Sequence, residues 1–225
     1  MDGIRWDLLF NPELAWESLP YVMSGIGYTL LISIVSMAAG LVLGFFISLA
    51  RTSKFGILSW PARTYISFMR GVPILVILFL LYFGMPVIGV QIPAVNAALI
   101  AFSINSAAYI AEIIRSALSS VDKGQWESSK ALGLTYWQTM YGVILPQSVR
   151  IAIPPLGNVY VDIIKATSLA AIITVPDIFQ RARIVGGREF DFMTMYILVA
   201  LIYWGICSLM TIFQNYLEKR YEEYL

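Results

Sequence analysis

Three ionisable residues fall inside long apolar stretches of this 225-residue chain: Glu112, Asp162 and Lys165. A charge at lipid depth costs about 2.5–3.5 kcal/mol on insertion scales, so each of the three must be paired or put to use. Glu112 has Arg115 three residues on, the spacing of a helical ion pair near an interface. Asp162 and Lys165 share that spacing. Asn158, Asp162 and Lys165 recur at i, i+4 and i+7, which puts them on one helix face. Lipid cannot satisfy such a face; a cavity or a partner subunit must. Thr167 and Ser168 in the same stretch, and Asn105 and Tyr109 in another, add hydrogen-bonding groups. If this face lines a cavity, the acidic group of Asp162 favours a cationic molecule there. Other chemistry is excluded by composition. No histidine and a single cysteine leave no disulfide framework, no Cys/His metal site and no histidine-based catalysis. Cys207 reads as a small apolar residue within a helix.

The elements that position these residues are membrane helices. The chain is 59% hydrophobic and 13% charged, against about 45–50% and about 25% in soluble domains. That excludes an ordinary soluble domain, a disordered tail and a fibre. A net charge of +1 argues against nucleic acid as a partner. Five apolar stretches, at about 21–50, 63–89, 93–118, 149–174 and 192–216, are each long enough to span a bilayer. Twelve-span carriers do not fit the length. Gly40-x-x-x-Gly44 in the first stretch is a close-approach pattern, read as a packing face within the protein. Residues 4–20 hold Ile4, Leu8, Leu9, Leu14, Trp16 and Leu19 among acids, and read as an amphipathic segment on the membrane surface. The start lacks a basic n-region, so no cleavable signal peptide is expected. Residues 21–225 then form a single transmembrane domain.

Ten Lys and Arg residues fall in the connections on one side and four (Arg5, Arg181, Arg183 and Arg188) on the other. The positive-inside rule therefore puts the N-terminus outside and the C-terminus in the cytoplasm, although the arginines at 181–188 run against the bias. The fourth apolar stretch carries Pro154, Pro155 and Gly157, and with Pro146 these predict an unwound or kinked segment within 146–158.

The longest polar connection, within about 119–146, is too apolar for a free linker, with Trp126, Ala131, Leu132, Leu134, Trp137 and Met140. A short helix over about Gln125–Leu132, stopped by Gly133, and a second helical piece capped by Thr135 are expected. Glu127-Ser128-Ser129-x-x-x-Gly133, nine residues, then Val143-Ile144-Leu145-Pro146 resembles the EAA loop of permease subunits of ABC importers. Serines replace the two alanines of the family form and Val143 replaces its isoleucine, with the spacing intact. Arg70-Gly71-Val72-Pro73, Asn105-Ser106-Ala107-Ala108-Tyr109-Ile110-Ala111-Glu112-Ile113 and Lys165-Ala166-Thr167-Ser168-Leu169-Ala170 resemble the polar-amino-acid branch. The resemblance covers roughly residues 20–220.

The resemblance implies an all-α membrane protein of five transmembrane helices in a bacterial or archaeal cytoplasmic membrane. It implies coupling helices, carrying Trp126, Glu127, Ser128, Ser129, Ala131, Leu132, Gly133, Leu145 and Pro146, that seat on a separate ATPase dimer. No Gly-x-x-x-x-Gly-Lys-[Ser/Thr] loop occurs, so ATP is expected on that partner and no cofactor on this chain. It further implies an external substrate-binding protein, and an amino-acid substrate held by Asp162, Asn158, Thr167, Ser168, Asn105, Tyr109 and Glu112. Asp162 departs from the family, in which an uncharged residue is usual, and points to a basic amino acid. Five spans cannot enclose a path alone, so a second permease subunit, the same chain or a related one, is expected about a two-fold axis. An oligomeric channel or small carrier, or a membrane scaffold, would also fit the spans. A channel does not need the cytoplasmic hairpin, and a scaffold leaves the polar face within the membrane without a purpose.

Overall fold

The computed structural model describes residues 9–222, which contain helices and turns and no strand. The chain runs α1 (Pro12–Met23), α2 (Ile26–Thr52), α3 (Gly56–Gly71), α4 (Ile74–Phe79), α5 (Ala94–Ser120), α6 (Lys123–Ala131), α7 (Tyr136–Thr139), α8 (Leu145–Ala166), α9 (Ile178–Glu189) and α10 (Phe192–Glu222). Ile4, Arg5 and Leu8 of the expected amphipathic segment lie outside the described residues.

Four helical stretches are long and apolar enough to cross a membrane: Ile26–Thr52, Ala94–Ser120, Tyr136–Ile173 and Phe192–Lys219. At 27 residues, α2 is about 40 Å long, more than the roughly 30 Å hydrocarbon core. Gly56–Gly71 and Ile74–Ile88 pass the same test together but are bent by 102° between them. The bend has a local cause. Val72 is extended (φ −101°, ψ 132°), as a residue before proline prefers to be, and Pro73 cannot continue the α3 ladder. The second apolar stretch, expected as one span, is therefore a broken helix.

The expected break within 146–158 is absent. Residues Leu145–Ala166 are one continuous α-helix containing Pro154 and Pro155. The irregularities sit on either side: a π-turn over Met140–Ile144 and a 3-10 stretch over Thr167–Ile173. Pro146 follows the π-turn, whose wider backbone gives its ring room. Pro154 and Pro155 have helical φ by construction. The Gln214 side chain packs on this segment and donates to the Pro154 carbonyl at 3.1 Å.

The chain divides into two compact units. The first draws on Met1–Val35, Ile74–Phe102 and Asp162–Met210. Its core joins α1, α9 and α10 through Val22, Ile178, Ala182, Val185, Met195, Leu198 and Val199. The second draws on Ser36–Pro73, Ser103–Val161 and Thr211–Leu225. There Ile66, Ala108 and Ala111 form a core with Ile47, Tyr65 and Met69 around them. The Gly40-x-x-x-Gly44 pattern serves packing inside this unit. A Cβ on Gly40 would collide with Ser106 Oγ, and one on Gly44 would lie 2.8 Å from Ile110 Cγ2 and 2.9 Å from the Ala107 carbonyl.

Candidate functional site

The expected coupling hairpin is built from the backbone upward. Asp122 caps α6, its Oδ1 accepting from the Gly124 N–H at 2.6 Å. The helix spans Lys123–Ala131, two residues earlier at its start than the sequence suggested. Gly133 ends it with φ +75°, the left-handed conformation glycine adopts without penalty. The Gly133 N–H bonds the Lys130 carbonyl at 3.0 Å and the Leu134 N–H reaches back to the Ser129 carbonyl at 3.1 Å. These bonds satisfy carbonyls that the helix end leaves open. Thr135 then starts α7 with a capping box closed by Gln138.

Within the hairpin the side chains sort by role. Ser129 is buried, while Glu127, Ser128 and Ala131 are exposed. Leu132 is 80% exposed, and Tyr136 and Trp137 present well over half their surface. Trp126 stacks on Tyr136 at 5.6 Å, and Trp137 stacks on Tyr141 at 5.6 Å. Gln147 donates to Gln125 at 3.3 Å, tying the start of α8 to α6. Leu145 is half-buried and Pro146 exposed at the same junction. An apolar, aromatic knob with few intramolecular contacts at its tip is suited to insertion into another protein.

The second unit also holds Asn105, Tyr109, Glu112 and Asn158. Asn105 Nδ2 donates to the Met69 carbonyl at 2.9 Å, near the C-terminus of α3. Tyr109 lies beneath the Arg70 guanidinium, 5.5 Å from ring centroid to Cζ. The Arg70-Gly71-Val72-Pro73 and Asn105–Ile113 motifs are thus brought together. Glu112 is held by two guanidiniums: Arg115 Nη2 at 2.6 Å and Arg51, which pairs with its other oxygen. Arg51, 61 residues away in the sequence, completes this triad. Asn158 Oδ1 accepts from Gln214 Nε2 at 3.3 Å, and the same amide donates to Glu218 at 2.8 Å. Gln214 had no signal in the sequence beyond being polar in an apolar helix.

The first unit holds Asp162, Lys165, Thr167 and Ser168. Asp162 Oδ1 and Lys165 Nζ are 2.7 Å apart, with 70% and 55% of their side chains exposed. Ser168 Oγ donates to the Lys165 carbonyl at 2.7 Å. Thr167 is fully buried and donates to the Ile164 carbonyl at 2.7 Å. Its hydroxyl is 3.4 Å from that of Tyr203. Tyr203 in turn donates to Asp177 Oδ2 at 3.4 Å. Asp177 is fully buried and caps α9, accepting from the Gln180 N–H at 2.8 Å. Burial pushes its carboxyl up to about 7. The signal for Asp177 in the sequence is Pro176-Asp177 ahead of a helical run, a cap signature.

Comparison with known proteins gives the class. Residues 39–223 match the family described as binding-protein-dependent transport system inner membrane component. The chain is 68% identical over the full length of both chains to the probable amino-acid ABC transporter permease protein YckA of Bacillus subtilis (strain 168). It is 41% identical to the L-cystine transport system permease protein TcyB of the same organism, over 99% of this chain and 94% of that one. Among solved structures, a crystal structure of an amino acid ABC transporter with histidines superposes with a TM-score of 0.88 at 33% identity, covering 91% of this chain and 96% of the other.

The chain therefore belongs to the binding-protein-dependent inner membrane components, and within them to the amino-acid ABC transporter permeases. It is a multi-pass membrane protein with the ABC permease fold.

Proposed function

We propose that this chain is the permease subunit of an ATP-driven importer of polar, basic amino acids in a bacterial or archaeal cytoplasmic membrane. ATP is hydrolysed by a dimer of a separate subunit. A second permease chain completes the path, and an external binding protein delivers the substrate. The observation that carries the reading is the hairpin around Gly133. A rigidly capped knob with Leu132 and its aromatics exposed can ride in a groove of the ATPase and pass its movement to α8 as rigid-body motion. Trp126, Glu127, Ser128, Ser129, Ala131, Leu132, Gly133, Leu145 and Pro146 are the coupling residues in this reading.

The proposed orientation has the N-terminus outside and the C-terminus in the cytoplasm. The Lys and Arg count supports it. The packing of α1 against α9 keeps these two helices on one side, which needs an even number of crossings between them and leaves the choice of side to the charge count. That is met when the bent pair Gly56–Gly71 and Ile74–Ile88 counts as one crossing, which makes five spans in all.

The basic preference rests on Asp162. Its carboxylate is 70% exposed and its ion-pair partner among the described residues is Lys165. A substrate guanidinium competes with Lys165 through a charge-assisted bond. Thr167 and Ser168 of the same unit join Asp162 in the proposed substrate set. Asp162→Asn is expected to cost roughly 1.5–3 kcal/mol, about ten- to a hundredfold in apparent affinity for arginine, with glutamine handled as before. The test is competition uptake in the reconstituted complex. Unchanged arginine uptake in Asp162→Asn, or a wild type that prefers glutamine, rejects the basic preference.

A further inference from the structure

The helices α1 and α9 form a surface that coupling and the substrate set leave without a role. They are held together by a shared core of Val22, Ile178, Ala182 and Val185. The Arg181 guanidinium stacks on Tyr21, 5.1 Å from its centroid. Gly25 meets the Asp177–Ile178 backbone so closely that a Cβ there would collide with it. Outward, α1 exposes Glu13, Trp16 and Glu17, and α9 exposes Arg183, Ile184 and Arg188. Arg188 pairs with its neighbour Glu189 at 2.6 Å. Among the described residues no ion pair joins the acids of α1 to the arginines of α9, so the two helices present opposite charge side by side. Trp16 is 76% exposed on the acidic helix, and Phe190 is 91% exposed at the end of the basic one.

Phe190 is the second observation. It caps α9 with φ 55° and ψ 27°, a left-handed conformation in which glycine is usual and a bulky residue is an outlier. The chain thus keeps a large aromatic, almost wholly in the open, at a position where glycine would relax the backbone. Backbone strain of this kind clusters at functional positions such as ligand clamps and switch regions.

We propose that the α1–α9 face is the docking surface for the soluble substrate-binding protein. Trp16 and Phe190 anchor in apolar recesses of that protein, whose carboxylates face Arg183 and Arg188 and whose basic side chains face Glu13 and Glu17. The inference rests on the importer reading and its orientation, which put α1 and α9 outside. The family is defined by dependence on a binding protein, and exposed Trp and Arg are the residue types that dominate protein contacts. Segregated charge of both signs gives register and steering to a protein partner. A bilayer surface with anionic headgroups suits it less, since Glu13 and Glu17 flank Trp16 on the same helix. The arginines that run against the positive-inside bias thereby gain a purpose.

The test uses the whole complex in neutral phosphatidylcholine nanodiscs, with the purified binding protein that stimulates its ATPase, loaded with its amino acid. Stimulation is titrated against binding-protein concentration. Reversing both arginines (Arg183→Glu with Arg188→Glu) is expected to raise the half-maximal concentration about tenfold or more, leaving the saturated rate unchanged, with a shift that shrinks at high salt. Phe190→Gly is expected to raise it as well while keeping or raising the melting temperature, which separates lost contact from lost folding. Half-maximal concentrations unchanged in both variants overturn the proposal. So does a shift seen only when the nanodiscs contain phosphatidylglycerol, which makes the face a lipid contact. If no amino-acid-loaded binding protein stimulates the wild type, the importer reading falls and takes this surface with it.

Discussion

Gly157 in α8 lies against the side chain of Gln214 in α10 so closely that a Cβ there would overlap the amide carbon. The same Gln214 amide bonds the Pro154 carbonyl at 3.1 Å and the Asn158 side chain at 3.3 Å. One residue thus clasps the stretch of α8 that contains two prolines, and glycine is what lets it approach.

Gly157→Val is therefore expected to destabilise the protein by about 1–3 kcal/mol through overpacking. Thermal melting of the detergent-purified chain checks this. Gln214→Ala should recover much of the loss in the double variant, because the two changes share one contact. Additive losses would contradict the clasp.

The prolines illustrate what the sequence reveals and what it hides. The apolar stretches, Gly133 as a helix stop and Thr135 as a cap were legible because each depends on residues within one turn of its neighbours. Pro154 and Pro155 argued locally for a break, but the helix runs through them, with Gln214, 60 residues away from Pro154, packed on the same stretch. The 102° bend at Val72-Pro73 had a local signal that a long apolar run concealed. Glu112 was paired with Arg115 from spacing, whereas Arg51, 61 residues distant, could not be. The Asp177–Tyr203–Thr167 chain was hidden for the same reason: no periodicity records contacts between helices.

The Asp177 carboxyl is expected to make stability depend on pH. Burial raises it from about 3.8 to about 7, so the folded protein holds this proton more tightly than the unfolded chain does. The sign follows from linkage. The contribution is complete below the unfolded value and is lost as pH rises through about 7. Melting temperature should fall between pH 5 and pH 8 more steeply in the wild type than in Asp177→Asn. Parallel pH profiles for the two proteins would count against it.

Glu112 carries two guanidiniums, from Arg51 and Arg115. Glu112→Gln leaves both without a counter-charge and is expected to cost roughly 1.5–3 kcal/mol. Chemical or thermal unfolding of the single variant, against Glu112→Gln combined with Arg51→Gln, reads the coupling. A double variant no better than the sum of the singles would remove the triad from the account.

Gly133→Val places a β-branched side chain at φ +75°, where there is open space around the Cβ. The cost is backbone strain alone, about 1–2 kcal/mol. Uptake is expected to fall at least tenfold while basal ATPase activity and membrane insertion remain. Asn tolerates this conformation, so Gly133→Asn should retain more transport than Val. Equal transport in Gly133→Val and the wild type would deny the hairpin its coupling role.

In the proposed function this chain moves an amino acid only when a separate ATPase drives it. The most direct measurement is accumulation of labelled arginine in proteoliposomes holding the permease, its ATP-binding subunit and the binding protein. The expected result is uptake against a gradient that requires ATP and the binding protein, and that is lost when the ATP-binding subunit is omitted. Flux that persists without ATP or without that subunit would contradict the account and make the protein a channel or a carrier.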